Sequence, residues 1–119
     1  MQPTMTADEY KAQVRAGWTE AEFLVHVRTL ARECGWMEHH HYDARRSTAG
    51  VPDLILVRPA SWIGTGRRLI VAELKVGSNT LTAAQEMWLN ALNAAGVMAV
   101  CWRPQNWEMI EAILRQGEP

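Results

Sequence analysis

The feature that most constrains the fold is a pair of short apolar runs that carry charged residues at their ends. The run Leu54–Val57 follows Asp53 directly, and the run Leu69–Val76 contains Glu73 and Lys75. The segment between the two runs contains Pro59, Ser61, Gly64, Thr65 and Gly66, which favour a turn. The pattern therefore predicts two buried strands joined as an antiparallel hairpin. A buried charge is costly unless it is paired or binds a metal, so these charged side chains need partners.

Strand periodicity brings the three charges together. Side chains alternate between the faces of a sheet, so Glu73 and Lys75 project to the same side. Asp53 arrives at this place from the neighbouring strand. Mg²⁺ prefers oxygen ligands and retains bound waters. Two carboxylates and an ammonium at one end of a sheet therefore predict a site for a hard divalent cation, Mg²⁺ or Mn²⁺.

Capping patterns and apolar periodicity predict the remaining elements. Three capping boxes begin three helices, and a fourth helix follows a cap at Asn106. The boxes are Thr6 with Glu9, Thr19 with Glu22, and Thr82 with Gln85. Further strands are expected at 36–42 and 97–102, and the last one can pair in parallel with the Glu73 strand through a right-handed crossover. The order α-α-β-β-β-α-β-α predicts an α/β protein with a mixed β-sheet flanked by helices.

Length and composition favour one domain. Residues 1–17 are expected to form an N-terminal segment with a short helix, and residues 18–119 the domain itself. The sequence has no apolar run long enough for a membrane span and no signal-peptide pattern. Cys34 and Cys101 are isolated, form no C-x-x-C pattern, and fit a reduced cytoplasmic setting.

Charge is unevenly distributed although the net charge is only -1. Residues 39–75 contain six basic and three acidic residues, and each flanking segment has a net charge of -2. The basic residues are Arg45, Arg46, Arg58, Arg67, Arg68 and Lys75. This distribution predicts a basic surface around the carboxylates, and the alternative is a solvated loop rich in arginine.

A wider set of motifs resembles a stand-alone VRR-NUC domain of the PD-(D/E)xK nuclease superfamily. The matching residues, in chain order, are Gly35-Trp36, the histidines ending at His41, Arg45-Arg46-Ser47, Gly50-Val51-Pro52-Asp53-Leu54, Glu73-Leu74-Lys75, Gln85 with Trp88, and Trp102-Arg103-Pro104. The resemblance implies a restriction-endonuclease-like core. It also implies that Asp53, Glu73 and the backbone carbonyl of Leu74 hold the metal, and that Lys75 acts on the attacking water or on the phosphate. The products would carry 5′-phosphate and 3′-hydroxyl ends.

Two further residues are candidates for this site. Related nucleases supply a glutamate from their first helix, and Glu20 matches it, as a metal ligand directly or through water; the alternative is a surface acid favoured by the helix dipole. The family also carries a glutamine beside its catalytic lysine, which Gln85 matches. The alternative for Gln85 is its place in a capping box. Trp88, on the same helix, is predicted to belong to the core.

The histidine cluster and the following loop are candidates for DNA contacts. His39, His40 and His41 are adjacent in a strand, so their side chains alternate between faces and do not suggest a zinc site. The family pattern places one histidine at the site, and His40 or His41 is the match. Arg45, Arg46 and Ser47 suit phosphate contacts, because guanidinium groups bind phosphate bidentately and a hydroxyl donates a hydrogen bond to it.

The resemblance implies a structure-selective endonuclease that acts on branched DNA, such as four-way junctions, as a homodimer. Paired incisions of two strands by so small a site require a twofold partner. Alternatives are a nicking or flap-type nuclease that works with phage or cellular replication and repair proteins, and a DNA-binding module without cleavage. The remaining alternative is an enzyme or interaction domain in which Glu73 and Lys75 form an ordinary ion pair.

Overall fold

Four strands form one mixed sheet with the order β1-β2-β3-β4. The computed structural model describes residues 4–41 and 48–116. Its strands are β1 (Met37–His40), β2 (Leu54–Val57), β3 (Leu69–Leu74) and β4 (Met98–Trp102), and its helices are α1 (Ala7–Ala16), α2 (Glu20–Glu33), α3 (Ala83–Ala94) and α4 (Trp107–Arg115), with a 3₁₀ turn at Pro104–Asn106. The predicted order of elements is confirmed. Three strands are shorter than predicted, and Lys75 lies just beyond the end of β3.

The sheet pairs as the apolar runs predict. Strands β1, β2 and β3 are antiparallel neighbours, and β4 pairs with β3 in parallel after the crossover through α3. One sheet face packs on α2 and α4, and the side chains in this core include Leu54, Leu56, Ile70, Ala72, Leu74, Phe23, Val27, Ile110 and Leu114. Helix α3 covers the opposite face, where Val71, Leu89 and Ala99 are buried. The central strand β3 is therefore buried on both faces, and Glu73 lies within it.

The three capping boxes form as predicted. In α1, α2 and α3 the N-cap threonine accepts a hydrogen bond from the backbone of the third helical residue, whose side chain accepts one from the threonine backbone. Asn106 stands at the N-cap of α4 but makes no side-chain bond to that helix. Its Oδ1 accepts instead from the backbone N–H of Arg103, at 2.9 Å. The predicted role of Asn106 as a side-chain cap of α4 is therefore wrong, because the 3₁₀ turn intervenes and uses the same side chain.

Trp88 is not a core residue. Its side chain is 37% exposed, whereas Leu89 is buried against the sheet. On α3 the inward stripe contains Gln85, Leu89 and Leu92, at spacings of four and three residues. Trp88 lies beside this stripe, about 100° around the helix from Leu89. Apolar character alone did not distinguish the two positions, and contact with the sheet did.

Helix α1 has no buried residue. The division of the chain near residue 17 remains a prediction. No helix within residues 4–41 and 48–116 is both long and apolar enough to cross a membrane.

Gly50 brings the segment before β2 into contact with the first turn of α3. Its φ of +87° lies in the left-handed region, and a Cβ there would lie 2.5 Å from the backbone carbon of Ala84. Gly96 has a φ of +90°, but a Cβ there would meet nothing within 4 Å. The two glycines therefore share the same backbone demand, and they differ in the contact that a side chain would make.

We expect Gly50→Ala to lower the free energy of unfolding by about 3 kcal/mol, because backbone strain and the clash with Ala84 add together. Gly96→Ala should lose only about 1 kcal/mol, from backbone strain alone. Urea denaturation of both variants measures the difference. Equal losses would contradict the close approach at Ala84.

Candidate active site

Asp53 and Glu73 meet at the open end of the β2–β3 hairpin. The last registered pair of these strands is Leu54 with Ala72, so the next opposed positions are Asp53 and Glu73. The backbone N–H of Asp53 donates to Glu73 Oε2 at 3.2 Å. Opposed residues of an antiparallel pair project to the same face. The two carboxylates are therefore neighbours, as the sequence predicts.

Glu73 is buried, with 2% of its surface exposed. Gln85 Nε2 donates to Glu73 Oε1 at 2.9 Å, and Lys75 Nζ lies 3.6 Å from the same oxygen. Burial, reinforced by the negative charge of Asp53, raises the pKa of Glu73 to about 7. Among the described residues, Lys75 pairs with Glu73, and the second carboxylate, Asp53, favours a further cation at this end of the sheet.

Gln85 makes a capping contact and a contact with the buried carboxylate at the same time. Its Oε1 accepts from the backbone N–H of Thr82 at 2.9 Å, which completes the capping box of α3. Its Nε2 donates to Glu73 at the same time. The amide therefore connects the helix cap to the buried carboxylate, and the orientation of one depends on the other.

A cavity of about 370 Å³ opens between the N-terminus of α2 and this end of the sheet. It is lined by Glu20, Ala21, Leu24, His40, Asp53 and Leu74. Glu20 is the first residue of α2, whose capping box begins at Thr19. Glu20 and Asp53 therefore line the same cavity, Glu20 on the side of α2 and Asp53 on the side of the sheet.

Strand alternation separates the histidines. Of the two candidates His40 and His41, His40 lines the cavity, and burial lowers its pKa. The rings of His39 and His41 contact each other with centroids 5.1 Å apart, so His41 lies on the other side of β1. His41 follows His40 and stands opposite Asp53, so its ring projects to the sheet face of Asp53 and Glu73, and its backbone N–H donates to the carbonyl of Asp53 at 3.2 Å. Arg45, Arg46 and Ser47 lie outside the described residues.

The basic surface expected from the charge distribution is not assembled from the hairpin arginines. Arg58 and Arg68 lie at the closed end of the hairpin, whereas Asp53 and Glu73 lie at its open end. Arg58 is only 3% exposed and donates to backbone carbonyls of the core, including Leu114 at 2.9 Å. Arg68 donates to Pro59 and Trp62 within the connection. The inclusion of Arg58 and Arg68 in a surface around the carboxylates is therefore wrong. The predicted hairpin already implied this, because it places these two arginines at the end opposite Asp53 and Glu73.

Two neighbours of the site, Arg103 and Cys101, were not predicted to be site residues. Arg103 donates to the carbonyls of Gly77 and Asn79, so it fixes the loop that leads from Lys75 to α3. Cys101 is paired in register with Glu73 across β3 and β4, and burial raises the pKa of its thiol. Two sequence features could have indicated them: Cys101 lies within the predicted last strand, and Arg103 is the cation that follows this strand.

The oxygen donors fit a magnesium-type ion better than a zinc ion. Over the described ranges, no three His, Cys, Asp or Glu side chains are placed to hold one metal together. Mg²⁺ needs only one or two carboxylates, with carbonyls and waters completing its shell. Asp53, Glu73 and the Leu74 carbonyl could supply these ligands, and Glu20 could contribute through a water.

The raised pKa of Glu73 predicts a pH-dependent stability of the metal-free protein. The folded state binds the Glu73 proton more tightly than the unfolded state, so this stabilisation is complete below about pH 4.5 and is lost as the pH rises through about 7. In the presence of a chelator, we expect the free energy of unfolding to fall by on the order of 2 kcal/mol over this interval. Glu73→Gln should abolish that part of the slope in urea titrations. Parallel profiles for the two proteins would contradict the assignment.

Comparison with solved structures finds this fold in a protein described as a "VRR_NUC domain protein". The two chains superpose with a TM-score of 0.61 and are 24% identical, over 86% of this chain and 93% of the other. The predicted α/β class, with a restriction-endonuclease-like core and a mixed sheet flanked by helices, is confirmed, as is the resemblance to a VRR-NUC domain at the level of the fold. No protein-family model and no curated protein matches the chain.

Proposed function

We propose that this chain is a metal-dependent endonuclease of the PD-(D/E)xK type that hydrolyses phosphodiester bonds in branched DNA. The observation that carries the proposal is the buried Glu73 carboxylate, which faces Asp53 and contacts both Lys75 and Gln85. An ordinary ion pair needs neither the second carboxylate nor the adjacent cavity. The fold that the chain shares with a VRR_NUC domain protein supports the same function.

Asp53, Glu73 and the carbonyl of Leu74 would hold Mg²⁺ or Mn²⁺, with Glu20 assisting from the cavity wall. When bound, such an ion neutralises charge on the phosphate and lowers the pKa of a coordinated water. Gln85 orients Glu73 by holding Oε1, so the carboxylate is positioned before substrate arrives. Preorganisation of this kind is effective because the polar groups need not rearrange during the reaction.

Lys75 would act on the scissile phosphate or on the attacking water. In hydrolysis, the water oxygen forms a bond to phosphorus, and the bond from phosphorus to the 3′ oxygen breaks. The water loses a proton and the leaving oxygen gains one, which yields 5′-phosphate and 3′-hydroxyl ends. Lys75 Nζ lies 3.6 Å from Glu73 Oε1, so its ammonium is held beside this carboxylate and can stabilise the charged phosphate there.

His40 would contact DNA at this site, and its position in the lining of the cavity, together with Asp53 and Glu20, supports this role. The contributions of His41, Arg45, Arg46 and Ser47 to DNA binding remain part of the proposal. Two strands of a junction would be cut symmetrically by a homodimer, with one active site in each copy. A cytoplasmic location fits this role.

The test is cleavage of labelled DNA of defined structure. Four-way junction, flap, linear duplex and single-stranded DNA of matched sequence are incubated with the protein and Mg²⁺, Mn²⁺ or a chelator. We expect metal-dependent paired cuts in the junction, and a dimeric mass for the protein by light scattering. Asp53→Asn should remove both the cleavage and the increase in melting temperature that Mn²⁺ produces in the wild-type protein.

The alternatives give different results in the same assay. Cleavage confined to the flap, or single nicks in the duplex, would indicate a nicking or flap-type nuclease. Binding of junction DNA without cleavage in either metal would contradict autonomous nuclease activity and favour a binding module. Absence of both binding and metal-dependent stabilisation would overturn the proposal.

A further inference from the structure

A second groove lies on the far side of the α2 N-terminus from the active-site cavity. It has a volume of about 320 Å³ and is lined by Tyr10, Lys11, Val14, Arg15, Trp18, His26 and Trp107. Trp18 precedes the cavity-lining Glu20 by only two residues. Two successive residues span at most about 7 Å of chain, so the groove and the cavity are close neighbours.

Aromatic rings form the floor of this groove. Trp18 and His26 are stacked with centroids 4.1 Å apart and planes inclined by 13°. Trp107 meets Trp18 edge-on, with centroids 5.4 Å apart. Tyr10 is 62% exposed on α1, and His26 is also exposed. Rings held in place and open to solvent can accept another flat ring.

The charges that line the groove favour a polyanion. Lys11 and Arg15 lie one helical turn apart on α1, and none of the described residues that line the groove is acidic. Acidic side chains do occur in the adjoining cleft, where Asp8, Glu108 and Glu111 lie on the other side of these two cations. A phosphate backbone would therefore follow the aromatic side of Lys11 and Arg15 and avoid the acidic side.

We propose that this groove binds unpaired nucleotides of single-stranded DNA next to the active site. Aromatic stacking with nearby cations is how proteins hold single strands without reading their sequence. The inference rests on the proposed action on branched DNA and deepens it. A strand that unpairs at the branch would pass the N-terminus of α2, with its bases on the groove and its scissile phosphate at Asp53 and Glu73.

The test measures binding separately from cleavage. The probe is fluorescently labelled oligothymidine of about 10 nucleotides, within the usual length of such sites, with a duplex of equal length for comparison. Fluorescence anisotropy in the presence of a chelator gives the Kd at several salt concentrations. We expect Tyr10→Ala and Lys11→Ala each to raise the Kd for the single strand about tenfold, with little change for the duplex.

The variants and their controls exploit the exposure of α1. Tyr10 and Lys11 lie on a helix with no buried residue, so their replacement should leave the melting temperature unchanged. Trp88→Ala removes an exposed aromatic ring elsewhere, and Arg67→Ala removes an exposed cation at the hairpin connection. Both control variants should bind oligothymidine like the wild-type protein.

Three outcomes would overturn the inference: wild-type affinity for oligothymidine in both α1 variants, equal loss in the controls, or a change of oligomeric mass in the α1 variants that shows a second copy in the groove. The proposed nuclease function is tested independently. If junction DNA is cleaved and the α1 variants bind oligothymidine like the wild-type protein, the proposed binding groove is contradicted and the proposed nuclease function is supported. If these variants bind oligothymidine more weakly and the wild-type protein cleaves no substrate, the binding groove is supported and the nuclease function is contradicted.

Discussion

Lys75→Ala is expected to reduce the rate of metal-dependent DNA cleavage by about 100-fold or more. Lys75 provides the ammonium group beside Glu73 in the proposed active site, 3.6 Å from Oε1. Loss of one group that stabilises developing charge in a preorganised site typically costs about 10²–10³ in rate. The measurement is single-turnover cleavage of the four-way junction with Mn²⁺ at saturating protein.

Metal binding distinguishes this role from a scaffolding role. Removal of Lys75 leaves Asp53 and Glu73 in place and removes a positive charge that competes with the ion. The Kd for Mn²⁺, measured by calorimetry, should therefore stay equal or fall in Lys75→Ala. A variant that loses Mn²⁺ binding and cleavage together would show that Lys75 maintains the structure of the site. Undiminished cleavage would exclude Lys75 from the chemistry.

Arg58→Ala is expected to lower the free energy of unfolding by about 3–5 kcal/mol. The buried guanidinium of Arg58 donates to the carbonyls of Cys34, Leu114 and Gln116. It also lies 4.1 Å from the ring centroid of Trp36. Loss of hydrogen bonds from a charged donor leaves buried carbonyls unsatisfied, and the cation–π contact is lost as well. This is a large share of the 5–15 kcal/mol typical of a domain, and urea denaturation measures it.

Arg68→Ala is the matched control, because Arg58 and Arg68 both contact the ring of Trp62. Arg68 is exposed, and its bonds to Pro59 and Trp62 are at the surface. We expect a loss below about 1 kcal/mol, since water replaces exposed hydrogen bonds. Similar losses for the two variants would show that Arg58 does not join α2, β2 and the end of α4 as described.

The sequence predicted those features that depend on neighbours along the chain. Each capping box is complete within four residues, so Thr19 and Glu22 mark the start of α2 without knowledge of the rest of the fold. The apolar strand around Glu73 predicts a buried carboxylate, because side chains alternate between the two faces of the strand and both faces are apolar. The juxtaposition of Asp53 with Glu73 follows from the hairpin, whose register is set by its two strands.

Only the tertiary structure decided the features that depend on contacts between distant segments. It placed His40 and not His41 at the cavity, joined Gln85 to Glu73, and left Trp88 exposed. It also showed that Arg58, expected to be a surface cation, is a buried donor to carbonyls at the C-terminal ends of α2 and α4. Periodicity specifies which residues share a face, but the environment of that face is set by the element that packs on it. For this reason the sequence predicted the carboxylates and a set of candidate neighbours, and the tertiary structure decided which of these neighbours contact the carboxylates or line the cavity.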